Sequence, residues 1–433
     1  MTSTAERPAD LEVKRDNPIK VAVASMIGTA VESYDFFIYG TAAAAYFGTA
    51  FFAADTVFIG ILASFATLAI GFLFRPLGGY LAGHYGDRIG RKTVLIAALS
   101  IMGVATFLIG VLPTFASVGA LAPVLLIVLR AVQGIGYGAE WGGAMLMAVE
   151  HAPAARRGFF GSIPQIGIPA GLLLANGTFL VSAWLFEGDW VWRVPFLLSV
   201  VMVAIGLWIR LGITESPDFE KMKAAGEIYK RPAIEVLKRD WRYVLRIVAL
   251  RLAETGGYYV TTSFLLSYVV LANVIDKQYV LYGTIIGSAL GLGTHLMYGA
   301  LSDRVGRKTV FLIGSIFTIL FAFPMFFLIN TGVAIMVIVA VAISLIFSHD
   351  PIFAVEGSWF SELFDRNVRS SGISLGYNGA SIIAGLLPFA ATALFGWIGW
   401  IGPALILVSL GVISTIAALV TRETAPVKTG KYV

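Results

Sequence analysis

The sequence predicts an all-α integral membrane protein with twelve transmembrane helices in two pseudo-symmetric six-helix bundles. Of its 433 residues, 58% are hydrophobic and only 13% are charged, whereas an ordinary soluble domain is about a quarter charged. A soluble core of this size cannot hide so much apolar surface, so much of that surface must face lipid. Closed membrane barrels have short segments of alternating hydrophobicity, and the sequence has no such alternation.

Twelve apolar segments support this fold class, because each spanning helix needs about 20 mostly apolar residues. They begin near Ile19, Phe58, Thr93, Gly119, Gly158, Val191, Tyr243, Tyr279, Thr309, Gly332, Gly372 and Trp400. The predicted division of the chain is a cytoplasmic tail at 1–18, a six-helix bundle at 19–214, a cytoplasmic linker at 215–242, a second bundle at 243–421 and a tail at 422–433.

The basic residues predict the orientation. Most of the 31 Lys and Arg fall in segments on one side of the membrane, above all in the linker. Loops that stay in the cytoplasm are enriched in these residues, so both termini are expected inside. The net charge of +5 is therefore interpreted as a topology signal, with no nucleic-acid partner. Cysteine is absent, which excludes disulfides and thiolate metal sites and fits a bacterial cytoplasmic membrane.

A repeated motif relates the two halves. GHYGDRIGRKTV at 83–94 returns as GALSDRVGRKTV at 299–310, identical at eight of twelve positions and displaced by 216 residues. Both copies fall between the second and third predicted helices of a half. Such self-similarity indicates an internal repeat. Two six-helix halves related by an axis along the membrane normal match one known transporter plan, in which substrate binds between the halves near the midplane.

The repeated motif resembles the loop signature of the major facilitator superfamily. The resemblance rests on Gly83, Asp87, Arg88, Gly90, Arg91 and Lys92, and in the second copy on Gly299, Asp303, Arg304, Gly306, Arg307 and Lys308. The run RAVQG at 130–134 is similar to a second motif of that superfamily. The resemblance covers nearly the whole chain and implies the major facilitator fold.

Further segments are similar to the metabolite:proton symporters, the carriers of shikimate, ketoglutarate, citrate and proline or betaine. They are VESYDF at 31–36, FRPLGG at 74–79 and GAEWGG at 138–143, with ALRLAE at 249–254 and His349-Asp350 most like the shikimate-type carriers. Ala139 departs from the group, which usually has glycine there. The long C-terminal tail of the osmosensing proline/betaine branch has no counterpart in this sequence.

This resemblance implies a secondary active transporter rather than an enzyme. We expect proton-coupled symport of a small organic acid, shikimate-like or another carboxylate, into the cell by alternating access. The alternative is a zwitterionic compatible solute such as proline or betaine. The expected partners are the carboxylate substrate, protons and the lipid bilayer, in a monomer without metal or cofactor.

Ionisable side chains inside the predicted spans point to a pathway. Each costs about 2.5–3.5 kcal/mol to insert at a helix centre, so each needs a partner or a function. They are Glu32, Asp35, Arg75, Arg130, Glu140, Arg251, Glu254, His349, Asp350 and Glu356, with His295 as a further candidate. Apart from His295 they fall on predicted helices 1, 2, 4, 7 and 10. In the resembled fold, helices 1, 4, 7 and 10 line the central cavity.

Two carboxylates in predicted helix 1 are the first candidates for proton coupling. Glu32 and Asp35 are three residues apart and share a helical face. Their mutual repulsion in a low dielectric favours holding one proton. The alternative is a structural pair neutralised by arginines of neighbouring helices. Asp35 is preferred because Arg251 occupies the equivalent position in the second half of the repeat. Glu140 and Asp350 are the next candidates.

Buried guanidinium groups are the candidates for binding a substrate carboxylate, because their planar fork suits bidentate capture. The candidates are Arg75, Arg130 and Arg251, and each has a structural alternative. Arg75 could form a permanent ion pair with an acidic residue of helix 1 or 4, and Arg130 could organise helix 1. Arg251 could form an i,i+3 ion pair with Glu254. The remaining substrate-binding candidates are Glu254, Tyr34, Trp141, His349, Tyr258, Glu356 and Tyr377.

The two motif loops are candidates for a cytoplasmic gate that latches the halves together. The gate residues are Gly83, Asp87, Arg88, Arg91, Asp303, Arg304 and Arg307. The alternative is that these charges only determine topology, and this alternative is preferred for Arg91, Lys92, Arg307 and Lys308.

Rival functions lack their signatures. The sequence has no HExxH motif of a metalloenzyme and no GxxxxGK[ST] loop of a nucleotide-driven pump. A channel fits poorly with an asymmetric set of charges at a closed midplane site.

Overall fold

The computed structural model describes residues 18–89, 91–139, 145, 148–149, 152–211, 232–364 and 369–430. All secondary structure within these ranges is helical, which confirms the predicted fold class. The membrane-length helices of the first half, the N-half, are α1 Pro18–Ala45, α2 Val57–Ile89, α3 Arg91–Gly110, α4 Leu121–Gly138, α5 Arg157–Gln165 continued by Gly167–Leu185, and α6 Trp190–Leu211.

The second half, the C-half, contains six more. They are α7 Trp241–Arg251 with its continuation to Leu271, α8 Gln278–Val305, α9 Arg307–Asn330, α10 Ala334–Ile343 with its continuation to Leu363, α11 Arg369–Ile398 and α12 Ile401–Val420. Short helices also occur at Phe47–Phe51, Phe115–Val118, Ala154–Arg156, Pro232–Arg239 and Pro426–Thr429. Every long helix begins within three residues of its predicted start. Eleven of the described helices are long and apolar enough to cross a membrane; α7, which extends over 241–271, is not one of them.

Helices α7 and α10 each contain π-helical turns, which the sequence did not predict. In α7 the π turns are Leu252–Gly256 and Val260–Phe264, separated by Gly257–Tyr259. In α10 the π turn is Ser344–His349, immediately before Asp350. Such turns interrupt the regular ladder and occur frequently at functional sites. Pro351, which has no backbone N–H to donate, follows this turn within α10.

Glycines bring α2 and α4 into backbone contact. A Cβ added at Gly78 would lie 1.9 Å from the carbonyl oxygen of Ile135, and one at Gly134 would lie 2.1 Å from that of Gly71. Both separations are far below van der Waals contact, so only glycine permits this approach. Small residues serve this purpose widely in membrane helix packing. The close crossing fixes the relative positions of the arginines carried by α2 and α4.

The two halves contact each other at several depths. Ser267 of α7 donates a hydrogen bond of 3.0 Å to the carbonyl oxygen of Ala44 at the end of α1. Towards the other face, Gln165 of α5 donates one of 3.1 Å to the carbonyl oxygen of Phe353 in α10. The halves therefore touch on both sides of the membrane centre. The predicted domain boundaries remain predictions, because most of the linker at 215–242 lies outside the described residues.

Candidate functional site

Two arginines of the N-half lie against the same aromatic ring. The Cζ atoms of Arg75 on α2 and Arg130 on α4 are 4.2 and 4.1 Å from the ring centroid of Phe36 on α1. The rings of Phe72 and Tyr137 lie 4.1 and 3.9 Å from the Cζ of Arg75. A desolvated cation–π contact contributes about 2 kcal/mol. Aromatic faces therefore stabilise these two buried charges.

Neither guanidinium forms a salt bridge with an acidic side chain in the part of the chain that the structure describes. Arg75 donates from Nη1 to the hydroxyl of Ser381 on α11 at 3.3 Å, and Arg130 donates from Nη1 to Oε1 of Gln133 at 2.9 Å. The Nε and Nη2 atoms of both arginines have no hydrogen-bond partner there. Each guanidinium thus keeps two donors, the number that bidentate binding of a carboxylate requires. The acid of helix 4 considered as a partner for Arg75, Glu140, lies outside the described residues.

A continuous chain of hydrogen bonds joins Arg130 to Asp35. Gln133, which accepts from Arg130, donates from Nε2 to the hydroxyl oxygen of Thr106 at 2.7 Å. Thr106 on α3 in turn lies 3.2 Å from Oδ2 of Asp35, to which it donates, and 2.9 Å from the carbonyl oxygen of Met102. The single hydroxyl proton of Thr106 is therefore shared between Asp35 and the carbonyl oxygen of Met102.

The two carboxylates of α1 are both buried near its middle. Asp35 has no exposed surface, and its Oδ1 has no hydrogen-bond partner within the described ranges. Glu32 lies one turn earlier and is also buried. The structure thus places both groups in the low-dielectric interior predicted from the sequence, and it links Asp35 to a candidate substrate arginine.

The C-half places its arginine among acids. Arg251 on α7 lies 2.8 Å from Oε2 of Glu254 and 3.7 Å from Oε2 of Glu356 on α10. Its Cζ lies 3.4 Å from the ring centroid of Tyr377 on α11. The i,i+3 ion pair considered from the sequence is present. Arg251 is thus neutralised within its own half, in contrast to Arg75 and Arg130.

His349 connects this ion pair to Asp350. Its Nε2 lies 3.3 Å from Oε1 of Glu254, and its Nδ1 is hydrogen-bonded with Oδ1 of Asp350 at 3.0 Å. His295 on α8 lies 3.6 Å from the same Asp350 oxygen, while its Nδ1 is 2.7 Å from the carbonyl oxygen of Gly291. Thr294 also donates to Asp350. Four predicted ionisable residues of α7 and α10 therefore form one buried cluster with Arg251.

The remaining substrate-binding candidates occupy different places. The ring of Tyr258 packs against that of His349 at a tilt of 38°, with centroids 4.4 Å apart, so Tyr258 belongs to the C-half cluster. Tyr34 instead donates its hydroxyl to the carbonyl oxygen of Pro195 on α6 at 2.8 Å, within the N-half. Trp141 lies outside the described residues.

The second motif copy forms a contact between the halves. Asp303 accepts hydrogen bonds from the backbone N–H groups of Gly158 and Phe159, and Arg307 donates to Asp303 at 2.7 Å. Arg307 is fully buried and lies 3.5 Å from Glu362. The preference for Arg307 as a topology determinant alone is therefore wrong, because a buried, doubly paired guanidinium organises the packing.

The other gate candidates contribute less to this picture. Arg304 is exposed. The side chains of the first motif copy, including those of Gly83, Asp87, Arg88 and Arg91, are not among those that the structure describes.

Several residues of the site were not assigned a role from the sequence. Thr106, Ser381 and Phe36 carry no signal beyond being polar or aromatic residues in apolar helices. Gln133 was part of a recognised motif but had no function attached. A buried Gln three residues after a buried Arg is the one pattern that indicated their hydrogen bond.

Comparison with known proteins agrees with this architecture. The family model of the Major Facilitator Superfamily matches residues 25–349 and 283–432. The Shikimate transporter of Escherichia coli (strain K12) is 38% identical over 432 residues, covering 98% of both chains. The inner membrane metabolite transport protein YhjE of the same organism is 39% identical, covering 94% of both chains. The Proline/betaine transporter of that strain is 31% identical over 96% of this chain and 86% of its own.

A solved structure supports the fold. The proton:xylose symporter XylE bound to 6-bromo-6-deoxy-D-glucose superposes with a TM-score of 0.73 over 94% of this chain and 96% of its own, at 18% identity. Long apolar helices around a buried, charged centre, in a chain whose relatives are named transporters, define a multi-pass membrane transporter rather than an enzyme. The chain belongs to the Major Facilitator Superfamily, where its relatives include metabolite transporters.

Proposed function

We propose that this transporter carries a small organic acid into the cell together with protons, by alternating access. It does so as a monomer in a bacterial cytoplasmic membrane, with both termini in the cytoplasm. The observation that carries the proposal is the hydrogen-bonded chain from Arg130 through Gln133 and Thr106 to Asp35. It connects a guanidinium with unused donors to a buried carboxylate, as coupling of an anion to a proton requires.

The substrate carboxylate binds at Arg75 and Arg130. Their unused Nε and Nη2 donors are buried, and a buried donor without a partner costs about 1–3 kcal/mol. An incoming carboxylate satisfies these donors and neutralises one positive charge. The hydroxyl of Ser381, which accepts from Arg75, belongs to the C-half. Substrate at Arg75 therefore lies where the two halves meet.

The proton is carried at Asp35. A buried ionised carboxylate without a cation is costly, so Asp35 is accommodated best as the neutral acid when it is isolated from charge. A substrate carboxylate at Arg130 neutralises the positive charge at one end of this hydrogen-bonded chain and alters the hydrogen bond between Gln133 and Thr106. By reciprocal linkage, the affinity for the proton then depends on bound substrate, and the affinity for substrate depends on pH.

A zwitterionic substrate is the alternative, and one observation favours it. The buried cluster of the C-half holds three carboxylates, Glu254, Asp350 and Glu356, whereas its one described guanidinium, Arg251, contacts only Glu254 and Glu356 among them. The ammonium group of a zwitterionic substrate would complement this surplus of negative charge, while the carboxylate of the same substrate binds Arg75. The proline/betaine relative fits this alternative, but it is more distant than the shikimate relative.

Uptake by purified protein in proteoliposomes tests the proposal. Radiolabelled shikimate, 2-oxoglutarate, citrate, proline and glycine betaine are each offered with the exterior more acidic than the interior. We expect accumulation of at least one carboxylate above its external concentration, and its collapse when a protonophore is added. Accumulation of proline or betaine alone would favour the alternative. Accumulation that survives the protonophore would contradict proton coupling.

A further inference from the structure

A second group of titratable side chains lies apart from the arginine pair. In the C-half, the carboxylates of Glu254, Asp350 and Glu356 are all buried, and one guanidinium, Arg251, contacts two of them. Removing a charged group from water without full compensation costs several kcal/mol. One guanidinium compensates one carboxylate, so this cluster requires additional positive charge. Bound protons are the simplest source.

The imidazole of His349 is placed to hold such a proton. Its Nδ1 is hydrogen-bonded with Asp350 at 3.0 Å, and its Nε2 lies 3.3 Å from Glu254. Nε2 makes no hydrogen bond in this arrangement but lies within ion-pair distance of a carboxylate oxygen, and only the imidazolium carries a proton on both ring nitrogens. A neutral imidazole has one nitrogen without a proton, and the lone pair of that nitrogen would point towards a carboxylate. This is favourable only if that carboxyl group is itself protonated. Either arrangement keeps a proton between α7 and α10.

Among the described residues, the charged or titratable groups around His349 come from three helices. Helix α7 contributes Glu254 and Tyr258, α8 contributes His295, and α10 contributes Asp350. Arg251 acts on the ring through Glu254, and Tyr298 of α8 lies near Asp350. The described cavity lining from α9 and α12, Thr318, Phe321, Ala322, Met325 and Leu407, has no titratable side chain.

The backbone around this group is irregular on both sides. Glu254 lies within the π turn Leu252–Gly256 and His349 ends the π turn Ser344–His349. A cavity of about 10 Å³ lies beside them, lined in part by Thr261 and Ser344. This volume is close to what one water molecule needs. Polar hydroxyls and room for water beside the imidazole provide a route by which a proton reaches it.

We propose that His349, together with Glu254 and Asp350, forms a second proton-carrying site, so that each substrate carboxylate enters with two protons. This inference rests on the proposed function and deepens it. A monocarboxylate and the proton at Asp35 carry no net charge together. The second proton gives the complete cycle one positive charge, so the membrane potential drives uptake.

Proteoliposomes without a pH difference, held at an interior-negative potassium potential with valinomycin, test this with radiolabelled shikimate. We expect the wild-type protein to accumulate shikimate by up to about tenfold per 59 mV. His349→Gln should lose this response but still accumulate shikimate when the exterior is more acidic. Phe353→Leu is the control, because the ring centroid of Phe353 lies 5.2 Å from that of His349. This change alters the packing on the imidazole without removing a titratable group, so the variant should keep the voltage response. Wild-type uptake that responds to the pH difference but not to voltage would overturn the inference.

A measurement without substrate separates this inference from the proposed function. Substrate-free protein in detergent is titrated between pH 9 and pH 5, and the protons bound are counted. We expect His349→Gln, or His349→Asn if glutamine does not fold, to bind one proton fewer than the wild type. Equal counts would overturn the second site. Failure of any carboxylate to accumulate under a pH difference would instead refute the proposed function.

Discussion

The carboxylate of Asp303 accepts a hydrogen bond of 2.8 Å from the backbone N–H of Gly158, tying the end of α8 to the start of α5. Its other oxygen accepts one of 2.9 Å from the N–H of Phe159. The first N–H groups of a helix have no partner within the helix, and negative charge is favourable there. Since α8 and α5 belong to different halves, the halves cannot separate on this side until these bonds break.

Asp303→Asn should weaken this contact. The neutral amide accepts less strongly and loses the favourable interaction with the helix end, a contribution of about 1 kcal/mol. The absence of native cysteine allows a single reporter, Ser162→Cys, because Ser162 is buried against Gly299 across the same interface. We expect a maleimide to label this cysteine about fivefold faster in Asp303→Asn. Asp276→Asn, which removes a carboxylate from the loop before α8, is the control, and equal labelling rates in both variants would rule out the latch.

Arg75→Lys should impair binding although the positive charge survives. Lysine cannot offer the planar pair of donors, and a hydrogen bond to a charged group contributes about 1.5–3 kcal/mol. We expect the apparent affinity for the transported carboxylate to fall by about tenfold or more, as measured by initial uptake rates at matched protein levels. Arg193→Lys is the matched control, because Arg193 donates to the carbonyl oxygen of Gly110 in the N-half. An unchanged affinity in Arg75→Lys would remove Arg75 from the substrate site.

Helix positions were predictable from the sequence, and side-chain partners were not. Hydropathy placed the start of α11 near Gly372, three residues from its start at Arg369, because lipid imposes length and apolarity on every span. The partner of Asp35 depends on how α3 is rotated, and Thr106 is one of many hydroxyls in such helices. The repeat relates the two motif loops and also makes Asp35 and Arg251 equivalent positions. Equivalence did not predict their partners, because each of the two contacts residues of its own half.

The backbone irregularities were also beyond the sequence. Pro351 indicated a disturbed α10, but it could not specify a π turn at Ser344–His349. Helix α7 has its π turns without any proline, so no residue of this kind marks their position in the sequence. The contact between Glu254 and His349 depends on both irregularities and was not foreseen.

Gly138→Ala should disturb the arginine site through the backbone. A Cβ at Gly138 would lie 1.9 Å from the carbonyl oxygen of Arg75, so α4 and α2 must move apart. Overpacking of this kind costs about 1–3 kcal/mol. We expect a lower melting temperature together with weaker carboxylate binding. Gly177→Ala is the matched control, because nothing lies within 4 Å of its added Cβ, and alanine is favoured over glycine within a helix. Equal melting temperatures for the two variants would contradict the close packing.

Asp35→Asn and Thr106→Val test coupling between proton and substrate in complementary ways. Asparagine keeps position 35 permanently neutral, so one proton per cycle should be lost, while exchange of labelled for unlabelled substrate continues. Thr106→Val leaves the carboxyl group but interrupts the chain from Gln133 to Asp35. Each coupled proton changes substrate affinity by up to tenfold per pH unit. We expect this dependence, measured as affinity against pH, to be shallower in both variants.

The control for these variants is Thr392→Val, since the hydroxyl of Thr392 donates only within its own helix, to the carbonyl oxygen of Pro388 at 2.8 Å. It should keep the wild-type dependence on pH. If Asp35→Asn kept that dependence and His349→Gln abolished it, the C-half cluster would be the proton site and Asp35 a structural acid. If only Thr106→Val kept it, the proton at Asp35 would sense substrate through the field of Arg130 rather than through hydrogen bonds. The two outcomes assign the coupling to different physical causes, because a field acts without Thr106 and a hydrogen-bonded chain does not.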